Sequence, residues 1–290
     1  LTSADRKQRS ISGDLGRHNN YTQTQVITWQ YCHFGPLATG APGNQLKDRS
    51  AGAIIRYNWI EEGNRQLDLI EADGDLGIIS GHPQYGKDFV YGNVLYEPAN
   101  VNSDQIVHYG WDMGYGDRPG PLHFYNNTII CYRTDRIVLF RPQESETIEC
   151  FNNILTNYGN AQECYTDLYG NYPTITTSHN YFPSNIVYQN ATHDGTNILG
   201  NNPGFVDAAN GDYHLTSSSP CKNAGMAIPS DCSAHVPVYE YVKHQQYASR
   251  PNDGTIDIGA YEYGTPGPLT ITTTSLPNGS VGTSYSQTLA

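Results

Sequence analysis

The sequence predicts an all-β chain wound as a parallel β-helix, and three features carry that expectation. Long runs alternating Leu, Ala, Glu and Lys are missing, whereas Asn, Gly, Thr and Tyr predominate, with 29 glycines and 23 tyrosines against 2 methionines. That composition suits short strands joined by many turns. A short motif centred on Asn recurs along the chain, and a second apolar strand recurs between its copies with no helical segment intervening.

The Asn motif reads Ile54-Ile55-Arg56-Tyr57-Asn58-Trp59-Ile60, then Phe89-Val90-Tyr91-Gly92-Asn93-Val94-Leu95. It returns as Leu122-His123-Phe124-Tyr125-Asn126-Asn127-Thr128-Ile129 and as Ile148-Glu149-Cys150-Phe151-Asn152-Asn153-Ile154-Leu155, with a weaker copy around Asn180. Val26 to His33 reads as an earlier copy with Gln30 at the Asn position. From Asn58 the Asn positions advance by 35, 34, 26 and 27 residues, steps that suit stacked coils with extra length in loops. Asn fits such a place because it tolerates left-handed backbone at a bend and its amide can bond to the next coil. The second strand, aligned on Leu46, Leu67, Ile106 and Ile137, gives an inward apolar ladder with Asp48, Leu69, His108 and Leu139 two residues on. A β-sandwich is the competing architecture, but it has no use for a recurring Asn.

The formal charge is −12, and no basic run marks a nucleic-acid surface. Six cysteines form no CxxC pair, which argues against a zinc ribbon or a thioredoxin-like site. Cys131 and Cys150 sit beside apolar strands and read as buried thiols. Cys221 and Cys232 lie in a turn-rich segment and can close a short disulfide loop if the compartment is oxidising. No secretory leader and no apolar stretch of membrane-spanning length is present in the sequence.

Towards the C-terminus the chain reads Asn202-Pro203-Gly204-Phe205-Val206-Asp207, Gly211-Asp212-Tyr213-His214-Leu215, Ser218-Ser219-Pro220-Cys221-Lys222-Asn223-Ala224-Gly225 and Asp257-Ile258-Gly259-Ala260-Tyr261-Glu262-Tyr263. This ordered series resembles the terminal coils of bacterial secreted right-handed parallel β-helix proteins of the pectate-lyase-like superfamily. The resemblance implies a right-handed β-helix over 1–263, with N-terminal coils missing and 200–263 forming terminal coils and a cap. Gly264-Thr265-Pro266-Gly267-Pro268 reads as a linker over 264–270. Residues 271–290 resemble the opening of a bacterial Ig-like module, truncated and too short to fold alone. An extracellular or cell-surface location is what both resemblances imply.

Polysaccharide lyases of that superfamily typically pair a Lys or Arg base with a cation, often calcium, that holds an acidic sugar. Lys47 and Arg49 on one coil, with Asp68 and Glu71 on the next, are the candidate catalytic residues, and Lys47 should stand beside Asp68. Ile70 and Glu71 occupy the place where the lyases would carry an Arg. The same cluster also reads as a ladder of ion pairs on a solvated face. A hydrolase would instead draw two carboxylates from Asp68, Glu71, Asp73 and Asp75, and Asp73 and Asp75 could also hold calcium. His108, Tyr109, Trp111, Asp112 and Arg118 form an aromatic and charged segment suited to sugar binding. His82 and His123 read as turn and packing residues, and no G-x-S-x-G, phosphate loop or HExxH motif supports those enzyme classes. Two functions follow as expectations. One is an extracellular β-helix that binds, and in one version cleaves, an acidic polysaccharide or cell-surface glycan. The other is a non-catalytic adhesive or structural module that self-assembles or binds other surface proteins.

Overall fold

The computed structural model describes residues 18–74, 77–99, 103–112, 118–168 and 173–264. Asp75 and the segment 265–290, with most of the expected linker and all of the Ig-like segment, lie outside the described residues.

The chain winds as a parallel β-solenoid of three seven-stranded sheets, each coil giving one strand to each sheet. The first sheet runs from Asn20–Thr22 through Leu46–Asp48, Leu67–Ile70, Gln105–Gly110, Arg136–Pro142 and Glu163–Asp167 to Ile186–Val187. The second begins at Val26–Gln30 and ends at Ala191–His193, and the third runs from His33–Phe34 to Ile198–Leu199. A coil therefore holds three strands, not the two that the repeat implies, because the Asn motif is itself two strands meeting at a bend. The interior is filled by stacked aliphatic and aromatic side chains such as Leu46, Leu67, Ile55, Val90, Phe124, Ile60, Leu95 and Ile129. Each row covers the one beneath it, so a coil buries its apolar face only through its neighbours.

The bend between the second and third sheets explains the Asn repeat. The Asn127 side-chain oxygen accepts from the Asn93 backbone N–H at 3.1 Å and from the Asn93 amide at 2.9 Å. The same link joins Asn58 to Asn93, Asn127 to Asn153, Asn153 to Asn180 and Asn180 to Asn197. From Asn58 to Asn180 each amide also donates to a carbonyl of the preceding coil, as Asn127 does to Val90 at 2.9 Å, whereas Asn197 donates to the Thr177 and Tyr188 hydroxyls. At the first coil Cys32, not Gln30, takes the ladder position, its N–H bonding Asn58 at 2.9 Å. The left-handed residue is the one before the ladder Asn: Tyr31, Tyr57, Gly92, Asn126, Asn152 and His179 all have positive φ. The ladder Asn is thus selected for its amide, and the bend is borne by its neighbour.

The segment after Leu199 adds no further coil among the described residues. It forms two antiparallel hairpins, Phe205–Asp207 with Asp212–Leu215 and Tyr239–Val242 with Gln246–Ser249. These run back along the bend between the second and third sheets. Asn152 bonds Met226 through both its amide atoms, Tyr125 donates to the His235 carbonyl, and Val238 N–H donates to Tyr57. The expected terminal coils are therefore a lateral strap. Cys221 and Cys232 are free thiols seated in different apolar clusters, so the expected disulfide is not formed. Cys131 and Cys150 are buried thiols, and burial pushes both above their ordinary pKa. No helix among the described residues is long and apolar enough to cross a membrane.

Candidate functional site

Parallel stacking brings the predicted charged residues together on the outward face of the first sheet. Lys47 pairs in register with Asp68, Asp68 with His108, and His108 with Arg141. The side chains form one hydrogen-bonded line. Lys47 Nζ lies 2.7 Å from Asp68 Oδ2, Asp68 Oδ1 lies 2.6 Å from His108 Nδ1, and Arg141 lies 3.1 Å from His108 Nε2. A guanidinium can only donate, so His108 Nε2 accepts and the ring proton sits on Nδ1, directed at Asp68. Asn44 completes the carboxylate's shell at 2.5 Å. Burial would raise the Asp68 carboxyl, but the His108 hydrogen bond and the charges of Lys47 and Arg65 hold it well below the usual carboxylate range.

The segment following Gly110 folds back over this row. Asp112 accepts from Lys47 at 3.2 Å and from Arg49 at 3.1 Å, while its backbone N–H donates to Glu71 at 2.8 Å. Arg49 also donates to the Glu71 carbonyl at 2.7 Å. Trp111 N–H is held by Glu146 at 3.2 Å, and Gly110 is required there, since any Cβ would enter the Glu146 carboxylate. Lys47, Arg49, Asp68, Glu71 and His108 are all buried, and Asp112 at 25% side-chain exposure is the most open of the group.

The cluster is therefore charge-matched. Lys47 and Arg49, the two candidate catalytic cations, each already face two carboxylates, so neither directs its charge at an incoming uronate. His108 is oriented like the imidazole of an Asp–His pair, but its far nitrogen meets Arg141, not a hydroxyl or thiol that it could activate.

Two members of the predicted sugar-binding segment point elsewhere. Tyr109 faces the core and donates to Gly86 O at 3.0 Å, because adjacent strand residues face opposite sides and His108 takes the outer one. The apolar ladder aligned on Ile106 is one residue out of register, since Val107 pairs with Leu67. Arg118 is fully buried, forked onto Asp88 at 2.9 and 2.6 Å and donating to Ser50 and Ile70 carbonyls. It fastens the corner of the coil and is closed to a ligand. Asp73 lies on the surface, its backbone paired with the Gln23 amide. His82 accepts from Gln84 N–H within a turn, and His123 stacks on Phe89 beside Glu149.

A second site lies on the outward face of the third sheet. A groove of about 450 Å³ is lined by Trp59, Tyr96, Tyr132, Glu61, Asn210 and Lys243 among others. Tyr96, Tyr132 and Tyr158 follow one another coil by coil at 5.7 and 5.6 Å with their planes tilted by 50° and 43°, and Tyr213 from the strap stacks on Trp59 at 5.6 Å. Trp59 Nε1 holds Glu61 at 2.7 Å. Burial opposes the Glu61 charge, but hydrogen bonds from His33 and Trp59 and the neighbouring imidazoles keep its carboxyl below the ordinary value. Sequence reasoning missed these tyrosines, because the strap residues that line the groove with them, Asn210, Tyr213 and Lys243, come from a distant segment with no local signal.

Fold and sites define a parallel β-solenoid with a lateral C-terminal strap. Among known proteins, no family model, no curated protein and no solved structure matches the chain.

Proposed function

We propose that this chain is a glycan-binding β-solenoid of an extracellular or cell-surface protein, which holds its ligand by ring stacking and does not cleave it. The aromatic groove on the third sheet carries this reading. Tyr96 and Tyr132 are half-buried, with a polar rim of Glu61, Asn210 and Lys243, the combination that suits a ring with one apolar face and many hydroxyls. The C-terminal motifs similar to secreted pectate-lyase-like β-helices support the same ligand class. Charge matching of Lys47 and Arg49 removes the motive for cleavage at the first sheet, and leaves the acidic polysaccharide as one member of the panel to be tested.

Affinity electrophoresis against neutral and acidic polysaccharides, with and without calcium, is the direct test. Retardation by at least one polymer, weakened about thirtyfold in a Tyr96→Ala/Tyr132→Ala variant, is expected if each ring contributes about 1 kcal/mol. Unsaturated uronate products that depend on Lys47 would restore the lyase reading. Full mobility in every gel would leave the adhesive or self-assembling module as the better reading.

A further inference from the structure

At the edge of the third sheet, His33, Glu61 and His244 form a cluster that the glycan reading does not use. His33 and Glu61 come from neighbouring coils, whereas His244 is delivered by the turn of the strap hairpin Tyr239–Val242/Gln246–Ser249. His33 Nε2 lies 2.9 Å from Glu61 Oε1, and the His33 and His244 rings stack at 3.8 Å with planes 4° apart. One ligand atom from each of the three lies within 4.8 Å of the other two.

We infer that His33, Glu61 and His244 bind a divalent transition-metal ion of the Zn²⁺ class and so clamp the strap to the first two coils. The donor set is two imidazoles and one carboxylate, which suits Zn²⁺, Ni²⁺ or Cu²⁺ over the all-oxygen preference of Ca²⁺ or Mg²⁺. Outer partners orient two of the three ligands. Trp59 Nε1 fixes Glu61 at 2.7 Å, and the Tyr241 hydroxyl lies 3.1 Å from His244 Nδ1, leaving Nε2 to the metal. Gln245 N–H in turn donates to the Tyr241 hydroxyl at 2.8 Å. A metal must lie in the plane of each ligating ring at about 2.0–2.1 Å, so binding tilts the stacked rings and draws their nitrogens together. Three protein ligands leave one position of a tetrahedral ion for water or a ligand oxygen. Glu61 also lines the aromatic groove, so that position borders it.

The test is calorimetric titration of Zn²⁺ into chelator-treated full chain, repeated for His244→Ala, Glu61→Gln and His123→Ala. One ion per chain is expected, bound at least tenfold more weakly by His244→Ala and by Glu61→Gln, and unchanged in His123→Ala. Circular dichroism of each variant confirms an unaltered β fold, and His244→Ala sits in a surface turn where folding is least at risk. Cobalt(II) should give a spectrum of nitrogen and oxygen ligands. A thiolate charge-transfer band would instead assign the ion to a cysteine such as Cys32 and overturn the inference. So would absence of binding, or binding retained by His244→Ala and lost in His123→Ala, whose side chain faces Glu149 and Asp231 in a separate cluster.

Discussion

Two polar rows run from coil to coil through this solenoid, and they are built in opposite ways. At the bend between the second and third sheets, Asn58, Asn93, Asn127, Asn153, Asn180 and Asn197 repeat one neutral side chain. On the first sheet, Lys47, Asp68, His108 and Arg141 repeat none, yet every neighbour is matched. An amide carries both donor and acceptor, so one residue type satisfies itself indefinitely and the row can lengthen with the solenoid. A charged row must alternate, and each member depends on the particular residue above and below it. The first design is a scaffold rule; the second is local to a few coils.

The largest effect should come from breaking the charged row. Asp68→Ala removes the buried carboxylate shared by Lys47 and His108 and leaves Lys47 with Asp112 at 3.2 Å, which should cost about 3 kcal/mol in chemical denaturation at neutral pH. The penalty should depend on pH. Because the folded-state pKa of Asp68 is depressed, its contribution is present above the ordinary value of about 3.9 and is lost as pH falls through the folded value. The gap between wild type and variant should therefore narrow in acid. A gap that stayed constant down to strongly acidic pH would show that packing, not charge, holds Asp68.

The amide row should respond differently. Asn127→Ala removes the acceptor for both Asn93 groups and the donor to Val90 O, leaving buried groups unpaired at a cost of about 3 kcal/mol. No titrating group is involved, so that loss should be the same at pH 4 and pH 7 within error. Comparing the two variants at both pH values separates the two designs in one experiment.

A smaller effect isolates the bend from the amide. Gly92 has φ of 65°, and a Cβ there would stand 2.7 Å from the Tyr57 ring. Gly92→Ala should cost about 1–2 kcal/mol, mostly as displacement of that ring. Substitution at Asn126 tests the converse, since that position already carries a side chain at φ of 48°. Asn126→Gly should be tolerated by the backbone and lose its bonds to the Asp257 and Gly259 carbonyls and the long one it accepts from the Asn152 amide. Equal losses at the two sites would remove the distinction.

The same contrast explains what could be seen in the sequence. The amide row repeats a letter, so Asn58, Asn93, Asn127, Asn153 and Asn180 are visible without coordinates; Cys32 and Asn197 break the letter or the spacing and are not. The charged row was visible only where coils are short, placing Lys47 beside Asp68. Beyond Asp68 the loops lengthen, the frame slips by one residue, and Tyr109 takes an outward reading that belongs to His108 alone. Arg118, in an irregular segment, has no periodicity to say that it points inward. Asn44 joins the site from one coil, and Arg141 and Glu146 from another three strands of the first sheet further on. The strap was legible as a motif series but not as a direction of travel, because nothing local distinguishes a further coil from a return along the side.

The strap offers the last and mildest test, a charged cluster that is not matched. Arg250 donates to Glu262 at 2.8 Å, while Glu240 and Asp257 bond the surrounding backbone, so carboxylates outnumber the cation. Burial, despite Arg250 and aided by Asp257, pushes the Glu262 carboxyl up to about 7. A raised carboxyl pKa stabilises the folded state fully below the unfolded value of about 4.3, and that contribution is lost as pH rises through about 7. Thermal stability of the wild type should therefore decline between about pH 4 and 7, and Glu262→Gln, which keeps the shape without the charge, should flatten the decline. The Asp68 carboxyl of the first sheet, held well below this range, should add nothing to the slope in that window. If Glu262→Gln left the slope unchanged, another of the strap's carboxylates would carry the proton, and Glu240→Gln would be the variant to flatten it.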